Sequence, residues 1–125
     1  MQTMILVLCT FPDARQARQI ATAMVERQLA ACVNLLPGVE SIYRWDGQLE
    51  HAAEVLGIFK TASSLFPALA AALAAAHPYA VPEIVALEPA AVADSYLAWV
   101  VAAAPAATSR EGHGSDAPPD LSHLI

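Results

Sequence analysis

Residues 30–61 read AACVNLLPGVESIYRWDGQLEHAAEVLGIFKT, two β-rich segments joined by Trp45-Asp46-Gly47-Gln48. Asp-Gly between such flanks signals a hairpin, because both central turn positions want φ > 0. The length of the arms then decides the architecture. Ala31 to Trp45, fully extended, spans ~50 Å at about 3.3 Å per residue, whereas a compact body of about 104 residues is only roughly 33 Å across. The first arm must bend, project beyond its own domain, or both. Pro37-Gly38 supplies a bend, since proline cannot donate to a ladder and glycine tolerates the kink. A projecting hairpin that carries Ile42, Tyr43 and Trp45 calls for a cover, and it reads as an oligomerisation arm.

Upstream of the hairpin, Met4 to Thr10 is a nearly continuous apolar run suited to a central strand buried on both faces. Asp13 then caps a helix, with Gln16 in the capping-box position. Ala17, Ile20, Ala21, Met24 and Val25 make one apolar stripe, and Arg15, Arg18, Glu26 and Arg27 take the wet face. Downstream, Ser63 or Ser64 caps a second helix that runs to Ala76, with Pro67 accommodated in its first turn. Leu65, Leu69 and Leu73 recur at i, i+4 and i+8, and His77-Pro78-Tyr79 ends the helix. Pro82 to Leu87 is predicted as a fourth strand, and Asp94 opens a third helix carrying Tyr96, Leu97, Trp99, Val100 and Val101.

The order is β-α-β, β-α-β, then a terminal helix. That is an α+β class, a ferredoxin-like βαββαβ sandwich with helices on one face of a four-stranded sheet. The other face needs covering, a second sign of assembly. The domain is read as residues 1–104. From Pro105 the composition shifts to Pro, Ser, Gly, Asp and Ala without periodicity, so 105–125 is predicted as a mostly disordered tail, whose closing Leu121-Ser122-His123-Leu124-Ile125 has enough apolar character to dock.

Composition narrows the partners. Hydrophobic residues make up 57% and charged residues 14%, too few charges to cover the surface of a monomer well. Net charge is −6 and Lys60 is the single lysine, which excludes nucleic acid and anionic membrane surfaces as partners. No positive residue precedes the opening apolar run and no cleavage pattern follows it, so no signal peptide is expected. The longest stretch free of Asp, Glu, Lys and Arg, Thr61 to Pro82, is interrupted by Pro67 and Pro78 and does not read as a membrane span. Cys9 and Cys32 are too few for a disulfide framework. A reduced, cytoplasmic protein is expected.

Several stretches together resemble one family. Leu29 to Asn34, Pro37 to Gly47 and Lys60-Thr61 are similar to the CutA divalent-cation-tolerance proteins, and Ser63-Ser64-Leu65, His77-Pro78-Tyr79, Pro82-Glu83-Ile84, Tyr96, Leu97 and Trp99 complete the pattern. The resemblance implies a ferredoxin-like fold similar to that of the PII signalling proteins, assembled as a homotrimer through the hairpin strands. It implies a role in divalent-cation tolerance with weak binding of copper (Cu2+) or another divalent cation. The metal positions it suggests are Cys9, Cys32 and His77, and the polar cleft residues are Lys60, Tyr79 and Glu83.

Thiolate and imidazole suit Cu(I) or zinc, yet the spacing by itself is no metal signature: there is no Cys-x-x-Cys and no His pair at helical spacing. The alternative is a small buried hydrophobe at each cysteine and a hydrogen-bonded His77 at a helix end. Lys60 beside a carboxylate can anchor an anionic ligand or make an ion pair that sets strand register. Glu50, His51 and Glu54 read as a solvated edge. Ile42, Tyr43 and Trp45 read as packing anchors at the trimer interface. Nucleophilic catalysis would require Cys32 to meet His77, and no nucleophile motif, phosphate loop or cofactor fingerprint is present. The expectation is a non-enzymatic homotrimer linked to divalent cations, with a PII-like small-ligand sensor using the inter-subunit cleft as the alternative and a cleft enzyme behind it.

Overall fold

Asp46 and Gly47 both adopt positive φ, +53° and +78°, the conformation a two-residue hairpin turn demands. From that turn β2 (Cys32–Trp45) and β3 (Gln48–Ala62) pair antiparallel along their whole length, Trp45 opposite Gln48 and Cys32 opposite Lys60. The register slips once. Leu36 faces Leu56 but Val39 faces Glu54, so β2 carries one extra residue at Pro37-Gly38, where Gly38 has φ +77°. A one-residue bulge moves every later side chain to the other face of the strand. Ser41, Tyr43 and Trp45 thereby share a face with Cys32 and Asn34. The computed structural model of the protein describes residues 3–105; the tail predicted from sequence lies outside these residues but for Pro105.

The sheet order is β2-β3-β1-β4, antiparallel throughout, with β1 (Met4–Phe11) at the centre beside β3. Residues of β1 alternate. Ile5, Val7, Cys9 and Phe11 are buried in the main core, while Leu6, Leu8 and Thr10 on the other face are half-buried. Full burial of both faces was expected of this strand, and the structure supplies it on one. The fourth strand is also shorter than expected: β4 is only Val85–Leu87, paired with Leu6 to Leu8. Pro82 has no N–H to give a ladder, and the chain before Val85 runs outside the sheet.

Helix α1 (Ala14–Glu26) begins at the predicted cap: Asp13 Oδ1 accepts the Gln16 N–H at 2.8 Å. The Gln16 side chain donates to the same carboxylate at 2.9 Å rather than reaching back to the backbone. The helix buries Ala17, Ile20, Ala21, Ala23 and Met24. Val25, expected in the stripe, is exposed. Ala23 and Val25 flank that stripe on opposite sides at 100° per residue, and the helix is rolled to bury the smaller one. Helix α2 (Phe66–Ala76) follows a 3-10 turn, Ser63–Leu65, and has no side-chain cap. Ser63 Oγ pairs instead with Thr3 Oγ1. Leu65, Leu69 and Leu73 are buried as their spacing predicts, and His77 closes the helix. Helix α3 (Asp94–Ala103) packs through Val100, with Ala104, against Met4, Ala62 and Leu65 in a second cluster. Tyr96 and Trp99 stay exposed.

Candidate functional site

Sheet geometry separates the two cysteines. Cys32 stands opposite Lys60, and Lys60 opposite Leu6. Leu6 and Cys9 are three residues apart on one strand, so they point to opposite faces. Cys9 is fully buried on the helix side, under Phe11 and Phe59 in the same core. Burial pushes its thiol pKa up to about 12, with Glu83 and Glu54 adding to the rise. It stays a protonated, packed thiol at physiological pH.

His77 does lie at the Cys9 end of β1, but both ring nitrogens are engaged. Its Nδ1 accepts the Tyr79 N–H at 3.1 Å, which leaves the proton on Nε2, donated to the Thr10 carbonyl at 2.7 Å. The ring stacks on Phe11 with centroids 5.1 Å apart and planes at 17°. Burial lowers its pKa, against the opposing pull of the Thr10 carbonyl and Glu54. A metal would have to break one of these bonds. Among the described residues no group of three His, Cys, Asp or Glu side chains is placed to hold a metal ion. Cys9, Cys32 and His77 do not fit a shared copper ion within one subunit, because one lies on the wrong face, one is a buried thiol and one is a hydrogen-bonded spacer.

The predicted polar cleft exists in part. Tyr79 and Glu83, from the segment after α2, face Tyr43, Trp45 and Glu54 of the hairpin across a space of about 580 Å³. The Tyr79 hydroxyl donates to Glu54 Oε2 at 2.6 Å. Burial and the Glu54 carboxylate both raise the pKa of the phenol, so it remains the donor. Lys60 is elsewhere. Six residues along β3 from Glu54 is roughly 20 Å, and its Nζ sits 5.9 Å from the centre of the Tyr96 ring on α3. Glu54, expected on a solvated edge with Glu50 and His51, instead joins the cleft through Tyr79. No signal in the sequence marks it, since its place follows from β1 ceasing to pair at Val55, one residue away.

Comparison with known proteins identifies the framework. The profile of the CutA1 divalent ion tolerance proteins matches residues 5–103. The chain belongs to that family. The divalent-cation tolerance protein CutA of Thermus thermophilus is 50% identical over 95 residues, covering 76% of this chain and 92% of that one. Mouse protein CutA is 48% identical over 91 residues, 73% of this chain, and the match spans about half (51%) of the mouse protein. Among solved structures, CutA1 from Ehrlichia chaffeensis superposes with a TM-score of 0.80 at 28% identity, covering 83% of this chain and 97% of that one. The Thermus thermophilus structure gives 0.75 at 48% identity, covering 78% and 94%. The CutA1 match takes in every element from β1 to α3, including the bulged hairpin and the Tyr79–Glu83 segment that frame the cleft.

Proposed function

We propose that this CutA1 protein acts as a non-catalytic homotrimer of the cytoplasm whose dealings with divalent cations, copper among them, are weak and made outside any closed site within one subunit. The observation that carries this reading is the hairpin. Among the described residues no strand pairs with β3 beyond Val55 on the side that β1 occupies, and the hairpin extends roughly 20 Å past the end of β1. Ile42, Trp45 and Leu49 on it are 60%, 56% and 63% exposed. Open strand edges and large exposed apolar side chains together form a surface that sister subunits can pair with and cover.

Other features support the remaining parts of the proposal. Cys32 and His77 lie apart, so a Cys–His nucleophile pair has no basis within the subunit. Free cysteines suit a reducing compartment. Among the described residues no helix is long and apolar enough to cross a membrane. Light scattering of the purified chain tests the assembly: three copies per particle are expected, and a stable monomer would refute the proposal.

A further inference from the structure

Helix α3 is apolar on more sides than the fold covers. After Asp94 and Ser95 every residue in it is apolar or aromatic, and a helix that is apolar all round is normally enclosed. Yet only Val100 among them is buried, packed towards Met4 and Ala62. At 100° per residue Ala98 and Ala102 stand nearly opposite Val100, and both are exposed. Together with Asp94, Leu97 and Val101 they line a shallow, open space of about 500 Å³, and no other described residue lines it. This face lies at the Met4–Ala62 end of the β1–β3 ladder, whereas the outer hairpin leaves β1 at the opposite end, past Phe11 and Val55. The hairpin surface offered to sister subunits is therefore no wall of this space.

The chain itself supplies a cover. Residues 106–120 contain no Leu, Ile, Val, Met, Phe, Tyr or Trp. Residues 121–125 then read Leu-Ser-His-Leu-Ile, which puts Leu121, Leu124 and Ile125 at i, i+3 and i+4. That is the anchor spacing of a helical turn laid along an apolar face, and Asp120 stands where a cap for such a turn belongs. This segment lies outside the described residues, but reach is no obstacle to it. The stretch 106–120 spans up to ~50 Å when extended, and α3, whose ten residues end at Ala103, is only about 15 Å long. Tethered in this way, the segment meets the face at an effective concentration of about a millimolar, which a separate chain in dilute solution does not reach. We infer that residues 121–125 dock on the outer face of α3 in their own chain, with Leu121, Leu124 and Ile125 packed along Leu97, Ala98, Val101 and Ala102. This goes beyond the assembly reading and does not rest on it, since helix and segment belong to one subunit.

NMR of the full chain, labelled at its Ala, Leu, Ile and Val methyls, tests the docking. Cross-relaxation is expected between the methyls of Leu124 and Ile125 and those of Val101 and Ala102. It should persist when labelled chain is unfolded and refolded with a large excess of unlabelled chain, because both partners lie in one chain. Ala102→Glu and Leu124→Glu each place a charge in the contact, and each should abolish these signals. The amides of residues 122–125 should then exchange with solvent about tenfold faster. Circular dichroism checks the fold of each variant, and Ala98→Glu takes the place of Ala102→Glu if that variant does not fold. Absence of the signals in the wild type would overturn the docking. So would their loss on dilution, which would mean that a second copy fills the face, or their survival in the folded α3 variant. Light scattering on the same samples keeps the two readings apart: a monomer that shows the contact refutes only the assembly, and a trimer that lacks it refutes only the docking.

Discussion

His77 shows how the type of one side chain leaves two roles open, a metal ligand or a hydrogen-bonded helix end. A histidine beside a helix end with cysteines elsewhere in the chain suggests a ligand, but here it ties the Tyr79 backbone to the Thr10 carbonyl. Its depressed pKa has a consequence for stability. Below pH 6.5, the ordinary imidazole value, the unfolded chain takes up a proton that the folded chain resists. Stability from this residue is therefore full above pH 6.5 and is lost as pH falls towards the lower folded value. Thermal melts of wild type and His77→Gln should converge on acidification, and parallel curves would rule this account out. Copper titration supplies a separate check. His77→Ala should leave copper affinity unchanged, because the ring has no free nitrogen to offer. Thr61 is the opposite case, a buried hydroxyl whose Oγ1 has no hydrogen-bond partner among the described residues. Thr61→Val keeps the shape and removes the unsatisfied group, so chemical denaturation should show a gain of about 1 kcal/mol.

At the level of elements, the hairpin and the bulge within it matter most. Asp46-Gly47 and Pro37-Gly38 were both legible, since tolerance of positive φ and a missing N–H belong to those residue types wherever they stand. The consequence of the bulge was not legible, because whether one or two residues oppose the partner strand depends on pairing, not on composition. Deleting Gly38 should restore an unbroken ladder and turn Tyr43 and Trp45 to the opposite face of the sheet. The hairpin would survive while assembly and the cleft were lost, a combination that circular dichroism and light scattering can detect together. The shortened β4 and the capless start of α2 were misread for a related reason. Pro82 and the Ser63-Ser64 pair have the right types for strand flank and cap, but the surrounding chain gave Pro82 no strand to join and Ser63 a different partner in Thr3.

For the whole molecule, the surface left exposed in one subunit is the feature that most needs a partner. The body of the protein is closed by two clusters, one between the sheet and the helices α1 and α2, the other around Val100. The outer part of the hairpin, residues 39–54, belongs to neither. Trp45→Glu should leave the subunit folded yet cost about 2 kcal/mol or more at each contact that buries the ring. Sedimentation at micromolar concentration should then show smaller species, and an intact trimer would count against Trp45 as an anchor.

The sequence by itself determined the order of elements, the hairpin turn, the α1 cap and the family pattern, because each is written in neighbouring residues and local periodicity. Only the tertiary structure decided which side chains meet. Cys9 and Cys32 are parted by the parity of paired strands, His77 is tied to a carbonyl 67 positions away, and Glu54 reaches Tyr79 only because β1 ends one residue short of it. Such contacts depend on register and on where strands stop, quantities that emerge from the pairing of distant segments and not from the residues within them.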